Sequence, residues 1–329
     1  MRNLNLEASI WNLFTSAEFF EGAARECDAT MEWFGTLAVS RQVVNFGRNN
    51  QIFDKFKQRA RDFRRGAELA RLGDYELIWE ISDCIRGDIR GIMEQPLHSW
   101  MTAAEYNEFS NVRVDRLAAY ARVINSALTN AFAGAESFFE LDPLDPEWAE
   151  RRNDDDGFPG EEIVGVYNRS FTWFNEPLFP KLPDPLLEYV IDRSITCRTG
   201  EEVPWTGVWY PGTGLAHHSL TFAIRGLRMQ PVYQFIKTAE ERGPYPGGGN
   251  YFTPETLAVA TEWHPVILSN RQAKNDGDLR AKAGEPCPKA GVWQPLDVDA
   301  LPRTYQAGES MTNLGSAYGL TVWRWLADR

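Results

Sequence analysis

Cysteine and histidine are scarce in this chain, with four residues of each type among 329. The cysteines stand far apart, at Cys27, Cys84, Cys197 and Cys287. This spacing predicts neither a disulfide framework nor a zinc site of the C-x-x-C type. We therefore expect no metal, no cofactor and a set of free thiols, which suits a reducing cytoplasm.

Long apolar runs are missing as well. No stretch reaches the length of about 18 apolar residues that would predict a transmembrane helix. The residues that follow Met1 include no apolar core of the kind that a secretory signal has. The sequence thus predicts a cytoplasmic protein without a membrane partner.

The common catalytic motifs are absent: the sequence contains no H-E-x-x-H, G-x-S-x-G or G-x-x-x-x-G-K-[ST]. His217 and His218 are adjacent, and adjacent residues of a strand face opposite sides, so they would not share one metal ion in an extended segment, whereas a turn would allow it. We predict that the protein is not an enzyme. A hydrolase that uses unrecognised carboxylates is an alternative, because a chain with 46 acidic residues offers many carboxylate pairs.

Basic residues are too few to balance the acidic ones, and the formal net charge is -12. This charge disfavours nucleic acid as a partner, because binding to a phosphate backbone needs a basic surface. A basic protein is a better match. The local basic run over residues 55–65 has Asp54, Asp62 and Glu68 close by, and we expect it to form ion pairs on the outer face of a helix.

Acidic residues are concentrated between positions 140 and 162. Such a segment is either a solvated loop or a contact surface for a partner. Under the second interpretation, the candidate partner-binding residues are Glu147, Asp154, Asp155, Asp156, Glu161 and Glu162.

The first half of the chain has the periodicity of helices. Apolar residues repeat at helical spacing within residues 10–20, 78–92 and 117–128. Thr102 and Glu105 have the spacing of a capping box, which predicts the start of a helix. These elements predict an antiparallel helical bundle over residues 1–185.

The second half contains one unusual motif twice. Residues 200–211 (the first motif) and 284–295 (the second motif) share the pattern G-E-x-x-P-x-x-G-V-W-x-P. Proline fixes its own φ and the glycine three residues later permits a positive φ, so each motif predicts a tight turn that leads into a strand. The residues expected to form this structure are Pro204, Gly207, Trp209, Pro288, Gly291 and Trp293.

The repeated tryptophans have two interpretations. A folding element is reused where its geometry recurs, so we expect Trp209 and Trp293 to be buried and structural. The alternative is a binding module in which both indoles are exposed and stack on a glycan or a peptide.

A weaker similarity follows each motif. G-x-x-M occurs at 226–229 and 308–311, and each copy precedes an aromatic segment, at 232–235 and 322–325. We therefore predict two β-rich repeats, at about 194–236 and 284–326, within a C-terminal domain over residues 186–329.

Between the two repeats, Thr253 and Pro254 have the form of a helix N-cap followed by proline at the first helical position. This pair predicts a helix that bridges the repeats. The predicted fold class is therefore α+β, with an N-terminal antiparallel helical bundle followed by the two bridged repeats.

A helical N-terminal part followed by two copies of P-x-x-G-V-W and G-x-x-M resembles the immunity proteins of bacterial polymorphic toxin systems. The resemblance is to those encoded beside type VI secretion effectors, especially effectors with a GHH-type nuclease domain. It implies a cytoplasmic antitoxin without catalytic residues that binds a cognate toxin, expected to be basic. Such a protein would block either the active site of the toxin or the access of its substrate.

Overall fold

The computed structural model describes residues 4–41, 43, 50–93, 97–133, 180–212, 220–237, 255–269, 279–296, 298–315 and 319–327. Its helices are Leu4–Phe14 (α1), Ala17–Ser40 (α2), Asn50–Ala70 (α3), Glu76–Met93 (α4), Ala103–Glu108 (α5) and Asp115–Ala133 (α6). A π-helical turn, Phe109–Val114, joins α5 to α6. Within these ranges, no helix is long and apolar enough to cross a membrane.

Helices α2, α3, α4 and α6 pack around one another with neighbours antiparallel. Glu21 near the start of α2 pairs with Arg71 just after α3, whereas Asp28, farther along α2, pairs with the earlier Arg64. Residue numbers therefore rise along α2 while the numbers of their partners on α3 fall, so the two helices run in opposite directions. Contacts of α3 with α4, α4 with α6 and α2 with α6 follow the same rule.

The helical periodicity in the sequence is borne out by the burial of its apolar positions. The fully or nearly fully buried members are Ile10, Phe14, Ala17, Phe20, Ile52, Phe56, Phe63, Ile78, Ile81, Ile85, Leu117, Ala121, Ile124 and Leu128. Burial of these faces against one another is the main source of stability for helices of this length, because isolated helices are marginal in water.

The predicted capping box is present at the start of α5. The backbone N–H of Glu105 donates to Thr102 Oγ1 at 3.3 Å, and Glu105 Oε2 accepts from the backbone N–H of Thr102 at 2.8 Å. These reciprocal bonds satisfy two backbone donors that the helix itself leaves unpaired. A helix therefore begins where the sequence predicted, although the π-helical turn interrupts it.

The strands lie C-terminal to the helices. They are Tyr189–Ile191 (β1), Cys197–Arg198 (β2), Gly207–Pro211 (β3), Thr221–Ala223 (β4), Val232–Lys237 (β5), Glu255–Val259 (β6), Glu262–Leu268 (β7), Arg280–Lys282 (β8), Gly291–Pro295 (β9), Arg303–Tyr305 (β10) and Val322–Ala327 (β11).

Strand pairing divides them into three antiparallel sheets. The first sheet has the order β1-β7-β3-β4, and β2 also pairs with β7. The second sheet has the order β10-β9-β11-β8, and β5 and β6 form a separate hairpin. Strands β3 and β9, which come from the two motifs, each have two neighbours.

The predicted helix between the repeats is wrong. Residues 255–259 form strand β6, which pairs with β5 from Val232 opposite Val259 to Lys237 opposite Glu255. The N-cap signal is local in sequence, whereas this strand is stabilised by a partner that lies some twenty residues earlier. Thr253 and Pro254 themselves lie outside the described residues.

The prediction that the aromatic segments 232–235 and 322–325 occupy equivalent places in the two repeats does not agree with the strand pairing. In the first sheet Pro211 lies opposite Trp263, and in the second sheet Pro295 lies opposite Trp323. The counterpart of β11 is therefore β7, not β5. The first sheet consequently extends past the range 194–236 predicted for the first repeat.

Three apolar clusters organise the described residues. The largest contains residues of the helices together with Tyr189, Val208, Phe222 and Val266 of the first sheet. The other face of the first sheet has a smaller cluster around Trp209 and Trp263. A third cluster lies within the second sheet and contains no helical residue.

Candidate functional site

The candidate partner-binding residues in the acidic segment lie outside the described part of the chain. They are Glu147, Asp154, Asp155, Asp156, Glu161 and Glu162. Their role as a contact surface stays a prediction. Within the described residues, the candidate sites are the two motifs and the contact between the second sheet and the helices.

The first motif forms a turn that leads directly into β3. Gly207 has φ of 156°, and a side chain at this position would collide with the ring of Trp205. Trp209 is completely buried, and its Nε1 donates to the carbonyl of Trp205 at 3.2 Å. Pro204 is exposed at the outside of the turn. The tryptophan thus packs beneath the turn that precedes it.

The second motif forms the same turn before β9. Gly291 has φ of 148°, and Trp293 is completely buried. Trp293 Nε1 donates to the carbonyl of Lys289 at 3.0 Å, as Trp209 does to the residue four positions before it. Pro288 is exposed, like its counterpart in the first motif. Lys289 Nζ lies 3.9 Å from the ring centroid of Trp325, a cation–π contact.

Backbone hydrogen bonds join the first motif to the G-x-x-M segment that follows it. The N–H of Gly200 donates to the carbonyl of Met229 at 2.8 Å, and the N–H of Gly226 donates to the carbonyl of Val203 at 3.0 Å. Both glycines have positive φ, 86° for Gly200 and 85° for Gly226. The bonds are reciprocal, so the two turns hold each other in place.

The second motif makes the corresponding bonds. Gly284 donates to the carbonyl of Met311 at 2.8 Å, and Gly308 donates to the carbonyl of Cys287 at 2.7 Å. The two glycines again have positive φ, 87° and 83°. The glycines of the motif and of the G-x-x-M segment therefore make the corresponding hydrogen bonds in the two sheets.

Burial of the motif tryptophans contradicts the stacking-platform alternative. Trp209 and Trp293 are both 0% exposed, and their Nε1 atoms are bonded to backbone carbonyls. A ligand could reach neither indole face without opening the sheet. Both indoles are buried because each turn packs over the tryptophan that follows it in the sequence.

Two further tryptophans have equivalent places that the sequence did not reveal. Trp263 Nε1 donates to the carbonyl of Gln230 at 3.0 Å, and Trp323 Nε1 donates to the carbonyl of Thr312 at 2.9 Å. Both are almost completely buried. The burial of Trp263 agrees with a core role, but the hairpin β5–β6 separates it from the first motif and hides the equivalence in the sequence.

The basic run over residues 55–65 lies on α3, and three of its side chains form ion pairs with carboxylates. Lys55 and Arg59 both contact Asp88 of α4, and Arg59 also contacts Asp62 at 3.2 Å. Arg64 pairs with Asp28 of α2. The prediction of an ion-paired outer helix face is therefore borne out for these residues.

Burial and charge act in opposite directions on two carboxylates of this network. Burial alone would raise the pKa of Asp88, but hydrogen bonds from Lys55 and Arg59 outweigh it and lower that pKa. For Asp62, burial dominates over the bonds from Gln58 and Arg59, so its pKa is raised. The network orients α3 against α4 and leaves these basic groups committed to intramolecular partners.

A second charged region joins the end of α3 to the second sheet. Arg280 Nε of β8 donates to Glu68 Oε2 at 2.5 Å, and Lys282 Nζ donates to Asp74 Oδ2 at 2.8 Å. Arg65, which is buried, donates to the carbonyl of Leu320. We call these three contacts the α3–β8 contact.

Comparison with known proteins finds no relatives. No family model, curated protein or solved structure matches this chain.

Metal-binding geometry is not seen in the described ranges, where no group of three or more His, Cys, Asp or Glu side chains is placed to hold an ion. His264 is buried, and its Nδ1 lies 3.0 Å from the carbonyl of Ile195. His217 and His218 lie outside the described residues. Burial raises the pKa of the Cys27 thiol, which disfavours the reactive thiolate.

Proposed function

We propose that this protein is an immunity protein that binds a secreted toxin of the producing cell and neutralises it without catalysis. The proposed toxin is a nuclease with a basic substrate cleft. The resemblance of the two motifs to polymorphic-toxin immunity proteins suggests this function. The observation that carries the proposal is that the shared residues of both motifs stabilise the sheets from within. A partner would therefore bind to the exposed residues outside the motifs.

The structural use of the motifs is specific to their chemistry. Each motif glycine has a backbone angle that other residues rarely adopt, and each motif tryptophan is buried with its only polar atom bonded. Groups committed in this way are not available for substrate chemistry. We infer that the two sheets are two copies of one unit and that the first copy carries the hairpin β5–β6 as an insertion. Insertions in repeated units often lie on a binding face.

Charge supports a basic partner. The net charge of -12 would accelerate association with a basic nuclease domain and add complementarity at the interface. The acidic residues between 140 and 162 are the proposed contact surface. A nuclease cleft must hold phosphate, so an acidic chain could either occupy it or bind beside it and block DNA.

The strength of binding follows from the biological demand. A toxin inside its own cell must be silenced almost completely, so we expect a Kd of roughly 1 nM or lower. We expect an interface of at least ~1,600 Å², the standard size for stable complexes. A micromolar Kd with the cognate domain, measured by calorimetry, would contradict the proposal.

The direct test is the nuclease activity of the toxin domain encoded by the adjacent open reading frame, with and without an equal concentration of this protein. Complete suppression together with a one-to-one complex is the expected result. If no complex forms and activity is unchanged, the protein is not the antitoxin of that domain.

The acidic surface has its own test. Replacing Asp154, Asp155 and Asp156 with Asn should slow association with the toxin and flatten its salt dependence, while thermal stability stays nearly constant. A matched control replaces Asp54, Asp83 and Glu80, exposed acids of α3 and α4, with the corresponding amides. Equal association rates for both triple variants and the unmodified protein would make residues 140–162 a solvated loop.

A further inference from the structure

The two sheets meet the helices through different kinds of contact. In the first sheet, Val208 of β3 and Phe222 of β4 lie opposite each other on one face, and both belong to the apolar cluster of the helices. Phe222 packs edge to face on Tyr75, with ring centroids 5.1 Å apart. The first sheet therefore shares a core with the bundle.

The corresponding positions of the second sheet do not form a buried apolar face. Register places Val292 and Thr304 where the first sheet has Val208 and Phe222. Thr304 is exposed and Val292 is only partly buried. As in the first sheet, the tryptophans of the second sheet face a cluster of their own, which includes no residue of the helices.

Charged side chains join this sheet to the bundle in the described part of the chain. Arg280 and Lys282 of β8 share a face with Val322 of β11, which is buried. Glu68 and Asp74, at the end of α3 and in the turn after it, are their partners. Glu68 also accepts from Arg71 at 2.9 Å, so it keeps a cationic neighbour if Arg280 leaves.

The free energy of separation differs for the two sheets. Exposing an apolar residue such as Phe222 to water is unfavourable, because nothing replaces the lost burial. Charged groups regain hydration on separation, and this gain offsets much of the Coulomb attraction that is lost. The second sheet also retains its own apolar cluster when it separates, so separation does not require unfolding.

We propose that the second sheet, residues 279–327, separates from the helical bundle as an intact unit when the α3–β8 contact opens, while the first sheet stays attached. The protein then has a closed form and an open form, and ionic strength shifts the balance between them. This inference concerns the free chain and is independent of the proposed antitoxin function.

Distance measurements between spin labels test the proposal. Cys84 on α4 is exposed, whereas Cys27, Cys197 and Cys287 are buried, so Cys84 supplies one labelling site. Thr304→Cys on the exposed face of β10 supplies the other. We expect one narrow distance distribution in low salt and a second, longer population in about 1 M NaCl, where the screening length falls to about 3 Å.

Charge reversal sharpens the same measurement. Asp74→Lys and Lys282→Asp should each produce the longer population in low salt, and the double variant should restore the single short distance. Arg280→Gln should also open the contact, with Glu68 still paired to Arg71. A label at Arg225→Cys, an exposed site between β4 and β5, is the control, and its distance to Cys84 should stay constant in every variant.

Hydrogen–deuterium exchange distinguishes separation from unfolding. Amides of β9 and β11 should stay protected in Asp74→Lys, because their sheet remains intact. Loss of that protection together with the longer distance would overturn the proposal, since the sheet would then depend on the bundle. A single distance that neither salt nor charge reversal changes would overturn it too.

Discussion

The two sheets have the same strand arrangement around their motifs but differ in what lies against them. The first packs apolar residues on the helices. The second contacts the helices through Arg280 and Lys282, and Arg65 of α3 donates to the carbonyl of Leu320. The internal bonds of the turns are nearly identical in the two sheets. This difference shows that the motif specifies the local unit, whereas the residues on the outer face decide how the unit is attached.

Matched substitutions at equivalent positions should give the largest difference between the sheets. Phe222→Ala should lower the free energy of unfolding by about 3–5 kcal/mol, because it leaves a cavity between the first sheet and the helices. Thr304→Ala, at the corresponding exposed position, should change it by less than about 0.5 kcal/mol. Chemical denaturation followed by circular dichroism measures both. Similar losses would mean that the two faces are equally important for stability.

Sequence alone predicts the helices better than the sheets, and the reason is the range of the interactions involved. The apolar positions of α4, such as Ile78, Ile81 and Ile85, repeat within a single helix, so their pattern is visible locally. The pairing of β7 with β3 depends on a strand that follows a long insertion, and no local pattern contains it.

The motif residues show how far local reasoning reaches. The positive φ of Gly207 and the burial of Trp209 follow from P-x-x-G-V-W, because a turn that launches an apolar strand places its first large side chain inward. The α3–β8 contact joins residues some two hundred positions apart. No local sequence pattern around Glu68 or Arg280 indicates that the two form an ion pair. The attachment of the second sheet could not be predicted for this reason.

Glutamates of the turns give a prediction in which the two sheets should agree. Glu201 Oε2 accepts from the backbone N–H of Arg198 at 2.8 Å, and Glu285 Oε2 accepts from that of Lys282 at 3.1 Å. Glu201→Ala and Glu285→Ala should each cost about 1 kcal/mol, the typical net value of one hydrogen bond. Thermal unfolding of the two variants measures this. A difference of more than about 1 kcal/mol between them would show that the turns are not equivalent.

The smallest expected effect concerns two basic residues at equivalent positions in β2 and β8. Lys282 pairs with Asp74 across the α3–β8 contact, with side-chain exposures of 22% and 34%. Arg198 pairs with Glu262 within the first sheet, and both side chains are more than half exposed, at 67% and 51%. Exposed ion pairs contribute little because water and salt screen them.

Lys282→Gln should therefore reduce stability by at most about 1 kcal/mol, and Arg198→Gln should have no effect above about 0.3 kcal/mol. The loss in Lys282→Gln should shrink in about 1 M NaCl, where the pair is already screened in the unmodified protein. Urea denaturation at low and high salt measures both variants. If salt leaves the stability loss of Lys282→Gln unchanged, packing of the lysine stem rather than its charge holds the second sheet to α3. Apolar packing would then contribute to the attachment of both sheets.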